Sequence, residues 1–151
     1  MRMTGLVASA FAVWLGSILA APAVAAPNCH ARVSQVDFGR VDDRRDGEIT
    51  GRLTVTCDGP TSFEVSATSG YGTFRRRTMI GPKGKVLHYN LYVDPARRRV
   101  WGDGESGGTA RIVGQSDGRK PVNYTVHGRL FKGQQAVSGH YRDSVKVSVS
   151  Q

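Results

Sequence analysis

From residue 29 onward, apolar and polar side chains alternate in short runs. The clearest run sets Ile49, Gly51, Leu53, Val55 and Cys57 on one face and Thr50, Arg52, Thr54 and Thr56 on the other. A period of two is the pattern of a half-buried β-strand. Ala31 and Val33 begin an earlier run, which residues 36–38 extend up to Gly39. Later runs comprise Phe63, Val65 and Ala67, then Leu87, Tyr89, Leu91 and Val93, then Val122, Tyr124, Val126, Gly128 and Leu130. In the middle one, His88, Asn90, Tyr92 and Asp94 are expected to face away from the core. Turn chemistry separates the runs: a charged segment at 42–47, Asp58-Gly59-Pro60, Gly70-Tyr71-Gly72 and Gly81-Pro82-Lys83-Gly84. Residues 101–108 read as a long loop. No segment keeps an i, i+3, i+4 stripe, and 19 glycines punctuate the chain. Six or seven short strands at this spacing predict an all-β, immunoglobulin-like two-sheet sandwich in one domain.

The last run differs from the others. Val145, Val147 and Val149 point one way, Lys146, Ser148 and Ser150 the other, and the sequence stops at Gln151 within that pattern. An apolar face beside an unpaired backbone edge is a liability. Either the sandwich lacks its final strand and receives one from elsewhere, or this is an ordinary edge strand guarded by Lys146.

The amino terminus reads as a secretory signal over residues 1–25, leaving a mature domain over 26–151. Arg2 supplies the positive region, residues 6–20 the apolar stretch, and Ala23-Val24-Ala25 the small-residue cleavage site. The apolar run is short for a membrane span and is broken by Pro22. An exported chain with only two cysteines, Cys29 and Cys57, is expected to join them in one disulfide. Removing the leader takes away one basic side chain and leaves 20 basic against 12 acidic, a formal charge of +8. Such a balance admits anionic partners. The charges are scattered through turns, apart from Arg75-Arg76-Arg77 and Arg97-Arg98-Arg99. Those triplets read as solvated loops, or as contacts to an anionic surface.

No enzyme motif emerges, and no cofactor or metal is expected. His88 and His127 alternate with apolar neighbours and should lie on outer faces; a metal site across neighbouring strands would need both. Residues 81–85 lack the spacing of a phosphate loop. Asp94, Asp103 and Glu105 lie near a glycine-rich loop without an acid–base partner.

Several stretches together resemble the spore coat protein U domain, a family of secreted pilin subunits exported by the archaic chaperone–usher route. They are Phe38-Gly39, the strand ending Leu53-Thr-Val55-Thr-Cys57-Asp58-Gly59, Arg77-Thr-Met79, and Leu87-His-Tyr89-Asn-Leu91-Tyr92-Val-Asp94. Trp101-Gly-Asp-Gly104, Val126-His-Gly128-Arg-Leu130 and Gly139-His-Tyr141-Arg-Asp143 with its alternating tail complete the set. The resemblance implies a sandwich without its seventh strand, into which a periplasmic chaperone inserts a strand that a neighbouring pilin subunit later replaces. The outer-membrane usher is the implied assembly partner; no specific nucleic acid is. On that model Val145, Val147 and Val149 line one side of a groove and Val33 the other.

Two departures stand out. Gln151 occupies the place where the family usually closes with an aromatic residue. Ahead of Cys29 the mature chain keeps only Ala26, Pro27 and Asn28, which at about 3.3 Å per residue reach roughly 10 Å. That is too short to serve as a donor strand. The sequence is therefore read as an exported, non-enzymatic subunit of a pilus or surface coat that accepts a strand and, without a donor of its own, either ends a fibre at its tip or acts outside a polymer. The alternative is a monomeric secreted module that grips an anionic surface or glycan through Arg75, Arg76, Arg77, Arg97, Arg98 and Arg99.

Overall fold

The computed structural model describes residues 25–40 and 44–151, so the leader and residues 41–43 of the charged turn lie outside the described residues. Eight strands are present: β1 (Cys29–Val33), β2 (Gly47–Cys57), β3 (Pro60–Ala67), β4 (Arg77–Ile80), β5 (Val86–Tyr92), β6 (Ile112–Asp117), β7 (Val122–Leu130) and β8 (Val147–Ser150). Two single 3-10 turns, Pro82–Gly84 and Ser106–Gly108, are the only helical residues among those described. The strands form a five-stranded sheet in the order β1-β2-β7-β5-β4 and a three-stranded sheet in the order β6-β3-β8. All the pairings are antiparallel. This is the two-sheet, immunoglobulin-like sandwich that the alternation predicts.

The inward faces are those the period of two selects. Leu53 and Val55 of β2, Val126 and Leu130 of β7, and Leu87 and Leu91 of β5 meet Phe63 and Val65 of β3 in one core. Trp101 ties the two sheets together, because its indole Nε1 donates to the Val65 carbonyl at 3.0 Å while its own N–H donates to Leu91 at 2.9 Å. Cys29 and Cys57 sit directly opposite in the β1–β2 ladder and form the expected disulfide. Closing a separation of 28 residues stabilises by about 3–4 kcal/mol in the chain-entropy model. Cys57→Ser is therefore expected to lower the recovery of folded protein sharply. Non-reducing peptide mapping should show the two cysteine peptides linked, and two free thiols there would refute the pairing.

The structure corrects the expectations in four places. β6 is a strand the pattern did not reveal, because Val113 on it is 64 % exposed and Gly114 breaks the alternation. Gly114 is required: a Cβ there would overlap the Tyr124 hydroxyl and the Phe63 ring. Residues 36–38 are not strand, and regular pairing of the last segment begins at Val147 rather than Val145. Asn90 and Tyr92 are buried rather than outward: residues 74–77 fold over Asn90, whose amide donates to the Phe74 carbonyl at 2.7 Å, and Tyr92 lies among the charged side chains of Arg129, Asp46, Arg97 and Asp94. The fourth concerns Arg77, expected in a solvated loop. It opens β4 and is 0 % exposed.

Candidate functional site

Each sheet ends on a strand paired along one side only. β1 is bonded to β2, and β8 to β3. The two lie beside one another across the opening between the sheets, and among the described residues no strand joins them. Both edges continue as irregular chain anchored to the sandwich. After β1, the Ser34 N–H donates to the Arg52 carbonyl and the Arg52 N–H to Ser34 Oγ, each at 2.8 Å. Before β8, the Lys146 N–H donates to Thr68 Oγ1 at 3.0 Å and its carbonyl accepts from the Thr68 N–H at 2.9 Å.

Between these margins lies a cleft of about 610 Å³. Val33, Val36 and Phe38 form one wall, Val145 and Val147 the other, and Leu91 and Trp101 lie at its base. A second hollow of about 700 Å³ shares Val36, Phe38, Met79 and Tyr141 with it and continues toward residues 136–140. The valines, Phe38 and Met79 are half-buried and pack on the core without being enclosed. The result is a long trough in which these apolar side chains stand among polar ones such as Ser34, Gln35 and Arg142, beside the open edges of β1 and β8.

One polar feature interrupts it. The Tyr89 hydroxyl donates to Asp143 Oδ2 at 2.7 Å, and Asp143 Oδ1 accepts the N–H groups of Tyr71 and Ser144 at 2.9 and 2.7 Å. Below them the Arg77 guanidinium donates to Asn90 Oδ1 at 3.2 Å, to the Trp101 carbonyl at 2.7 Å and to the Thr68 carbonyl. Burial lowers the Arg77 pKa, opposed by Tyr89 and Asp143. Burial, reinforced by the hydrogen bond to Asp143, holds the Tyr89 phenol well above its ordinary range. The lining contains no cysteine, and its one histidine, His140, lies in the second hollow. What the trough offers is main-chain pairing and pockets for apolar side chains.

The model of the Spore Coat Protein U domain matches residues 15–148. The chain belongs to the Spore Coat Protein U domain family. The match starts upstream of residue 26, within the segment read as a leader. This Spore Coat U domain also resembles a chain of the CsuC–CsuE chaperone–tip adhesion subunit pre-assembly complex, from the archaic chaperone–usher Csu pili of Acinetobacter baumannii. The TM-score is 0.62 at 20 % identity, over 83 % of this chain and 40 % of that one. The likeness is one of fold, and this chain spans less than half the length of its structural neighbour. No curated protein matches the sequence.

Of the residues singled out from sequence, the Spore Coat U domain brings Val33, Val145 and Val147 together along the cleft. Val149 lies farther along β8, opposite Val65, half-buried but outside the lining. Val36, Phe38, Met79, Tyr89, Leu91 and Trp101 were not anticipated in the trough, although all but Val36 fall in the stretches that carried the resemblance. The basic triplets break up. Arg75 and Arg76 are exposed and Arg77 is internal. The Arg97 side chain is 14 % exposed, ion-paired to Glu48 at 3.1 Å and bonded to the Gly128 carbonyl at 3.3 Å. Only Arg98 and Arg99 of that triplet reach solvent, on a turn whose N–H groups Asp94 accepts. Neither triplet presents three cations, which corrects the assignment of Arg77 and Arg97 as surface contacts.

The acidic residues have local duties. Asp103 accepts from Glu105, Ser106 and Thr109, which depresses its pKa, and Glu105 pairs with Arg111 at 2.7 Å. His88 lies on β5 opposite Thr78, whereas the β5 partner of His127 is Tyr92, four residues away. The two imidazoles do not share a site.

Proposed function

We propose that this protein is an exported, non-enzymatic structural subunit of a chaperone–usher pilus or surface coat, and that the trough receives a β-strand from another polypeptide. The observation that carries this reading is the pair of strands left unpaired on one side, β1 of one sheet and β8 of the other, which lie beside one another at the end of a cleft lined by Val33, Val36, Phe38, Val145 and Val147. A strand laid there would bond to main chain on both margins and seat alternate side chains over Leu91 and Trp101, the β-augmentation mode of recognition. A periplasmic chaperone supplies that strand first, and a neighbouring subunit delivered through the outer-membrane usher replaces it. Family membership and the fold shared with a chain from a chaperone–tip subunit complex support the same partners.

The place in the fibre is at its tip. Pro27 and Asn28, directly ahead of β1, are committed to their own domain: the Asn28 N–H donates to Asp58 Oδ1 at 2.7 Å, the Asp58 N–H to the Asn28 carbonyl at 3.0 Å, and Pro27 packs beside Gly59. They are not free to fill a neighbour's trough. Co-expression with a candidate chaperone, followed by size-exclusion chromatography with light scattering, tests the reading. A one-to-one complex without long homopolymers is expected. Homopolymers would refute the tip position, and a stable monomer indifferent to the chaperone would refute strand acceptance itself.

A further inference from the structure

Two long stretches of the chain carry no carboxylates. The sequence holds no Asp or Glu between Glu64 and Asp94, and none between Asp117 and Asp143. Strands β4, β5 and β7 and the segment 131–142 are therefore free of acidic side chains. The fold brings Arg76 and Lys132 of these stretches to one hollow. The Phe131 N–H and the Gln134 side-chain amide both donate to the His88 carbonyl, at 3.1 and 2.9 Å, and the His88 N–H donates back to the Gln134 side chain. Farther on, Ile80 and Arg142 exchange two backbone bonds at 2.8 and 3.0 Å. Segment 131–142 is thus strapped across β4 and β5.

Under the strap is a hollow of about 310 Å³ walled by Arg76, Val86, His88, Phe131, Lys132 and Gln134. None of these residues lines the trough. Among the described residues neither Arg76 nor Lys132 has an ion-pair partner. Asp46 reaches this rim, but it accepts from the Lys132 N–H at 3.0 Å and lies 3.7 Å from Arg129 Nε.

We propose that this hollow binds an acidic carbohydrate, with a sugar carboxylate between Arg76 and Lys132 and the sugar ring against Phe131 and Val86. The size is at the lower end of ligand pockets, about 300–1,000 Å³, and suits a single ring. Paired cations hold an anion through charge-assisted hydrogen bonds, while an apolar aromatic face meets the C–H face of a pyranose. Duplex DNA is the poorer occupant, because its phosphates lie on a convex surface that cannot enter a recess. The site is separate from strand capture and stands or falls independently of it.

The test uses the full-length exported protein, purified from the periplasm and titrated with oligogalacturonate, neutral dextran and a duplex oligonucleotide. Oligogalacturonate is expected to bind and dextran is not, with affinity falling about tenfold or more between roughly 50 and 200 mM salt. Arg76→Glu with Lys132→Glu should weaken binding by about thirtyfold or more, through repulsion at the contact itself. Arg119→Glu with Lys120→Glu makes the same change in net charge on the exposed turn after β6 and should stay within about twofold. Phe131→Leu should weaken oligogalacturonate several-fold with the salt dependence unchanged. Should the first pair unfold the protein, Arg76→Gln with Lys132→Gln makes the same comparison. Absence of oligogalacturonate binding, equal losses for the two charge-reversal pairs, or equally tight duplex binding lost with the same pair would each overturn the proposal.

Discussion

A strand-length segment of alternating apolar residues fused after Gln151 is expected to raise the melting temperature of the domain by about 10 °C or more. Val33, Val36, Phe38, Val145 and Val147 are only half-buried around the trough, and covering such side chains contributes about 1.5–3 kcal/mol each before the cost of ordering the added segment. A net gain of about 3 kcal/mol corresponds to about 10 °C for a domain of this size. Val147→Asp in the same fusion should abolish the gain, because the inserted strand would bury an unpaired carboxylate. Lys146→Asp, on the exposed face of that segment, should leave it intact. Calorimetry of the four proteins decides the matter. If the unfused domain melts no lower than the fusion, the trough is not a strand-binding site.

Arg77→Ala is the substitution expected to cost most in the domain itself. The guanidinium is wholly buried and bonds to Asn90, Trp101 and Thr68. Its removal orphans the buried Trp101 carbonyl and the Asn90 side-chain oxygen, frees the Thr68 carbonyl, and opens a void beside Trp101. Breaking a buried charged network from one side costs about 3–5 kcal/mol, against a total stability of about 5–15 kcal/mol for a whole domain. Arg77→Lys should recover little, since a single ammonium cannot reach acceptors spread around a planar fork. Arg76→Ala, one residue away and exposed, should shift stability by no more than about 0.5 kcal/mol. Urea unfolding midpoints separate these cases. Equal midpoints for Arg76→Ala and Arg77→Ala would show that Arg77 is not part of the core.

Most of the sheet framework was legible because a half-buried strand writes its exposure into consecutive residues. β2, β3 and β7 each show the period of two, and Cys57 falls on the inward face of its strand; β5 shows it only up to Tyr89, beyond which both faces are covered. β6 was not legible, since Val113 points to solvent and Gly114 yields its space to Tyr124 and Phe63, a requirement set by another strand. Arg77 shows the same limit more sharply. Three consecutive arginines look equivalent in sequence; only the crossing of Trp101 and Thr68 over the start of β4 supplies acceptors for one of them. The trough divides likewise. Local alternation marked Val33, Val145, Val147 and Val149 as apolar, because burial on one face is a nearest-neighbour property of a strand. That β1 and β8 end up as facing open edges, with Phe38, Met79 and Trp101 between them, follows from strand order across two sheets. Strand order is set by contacts between residues far apart in the chain, and only the folded structure records it.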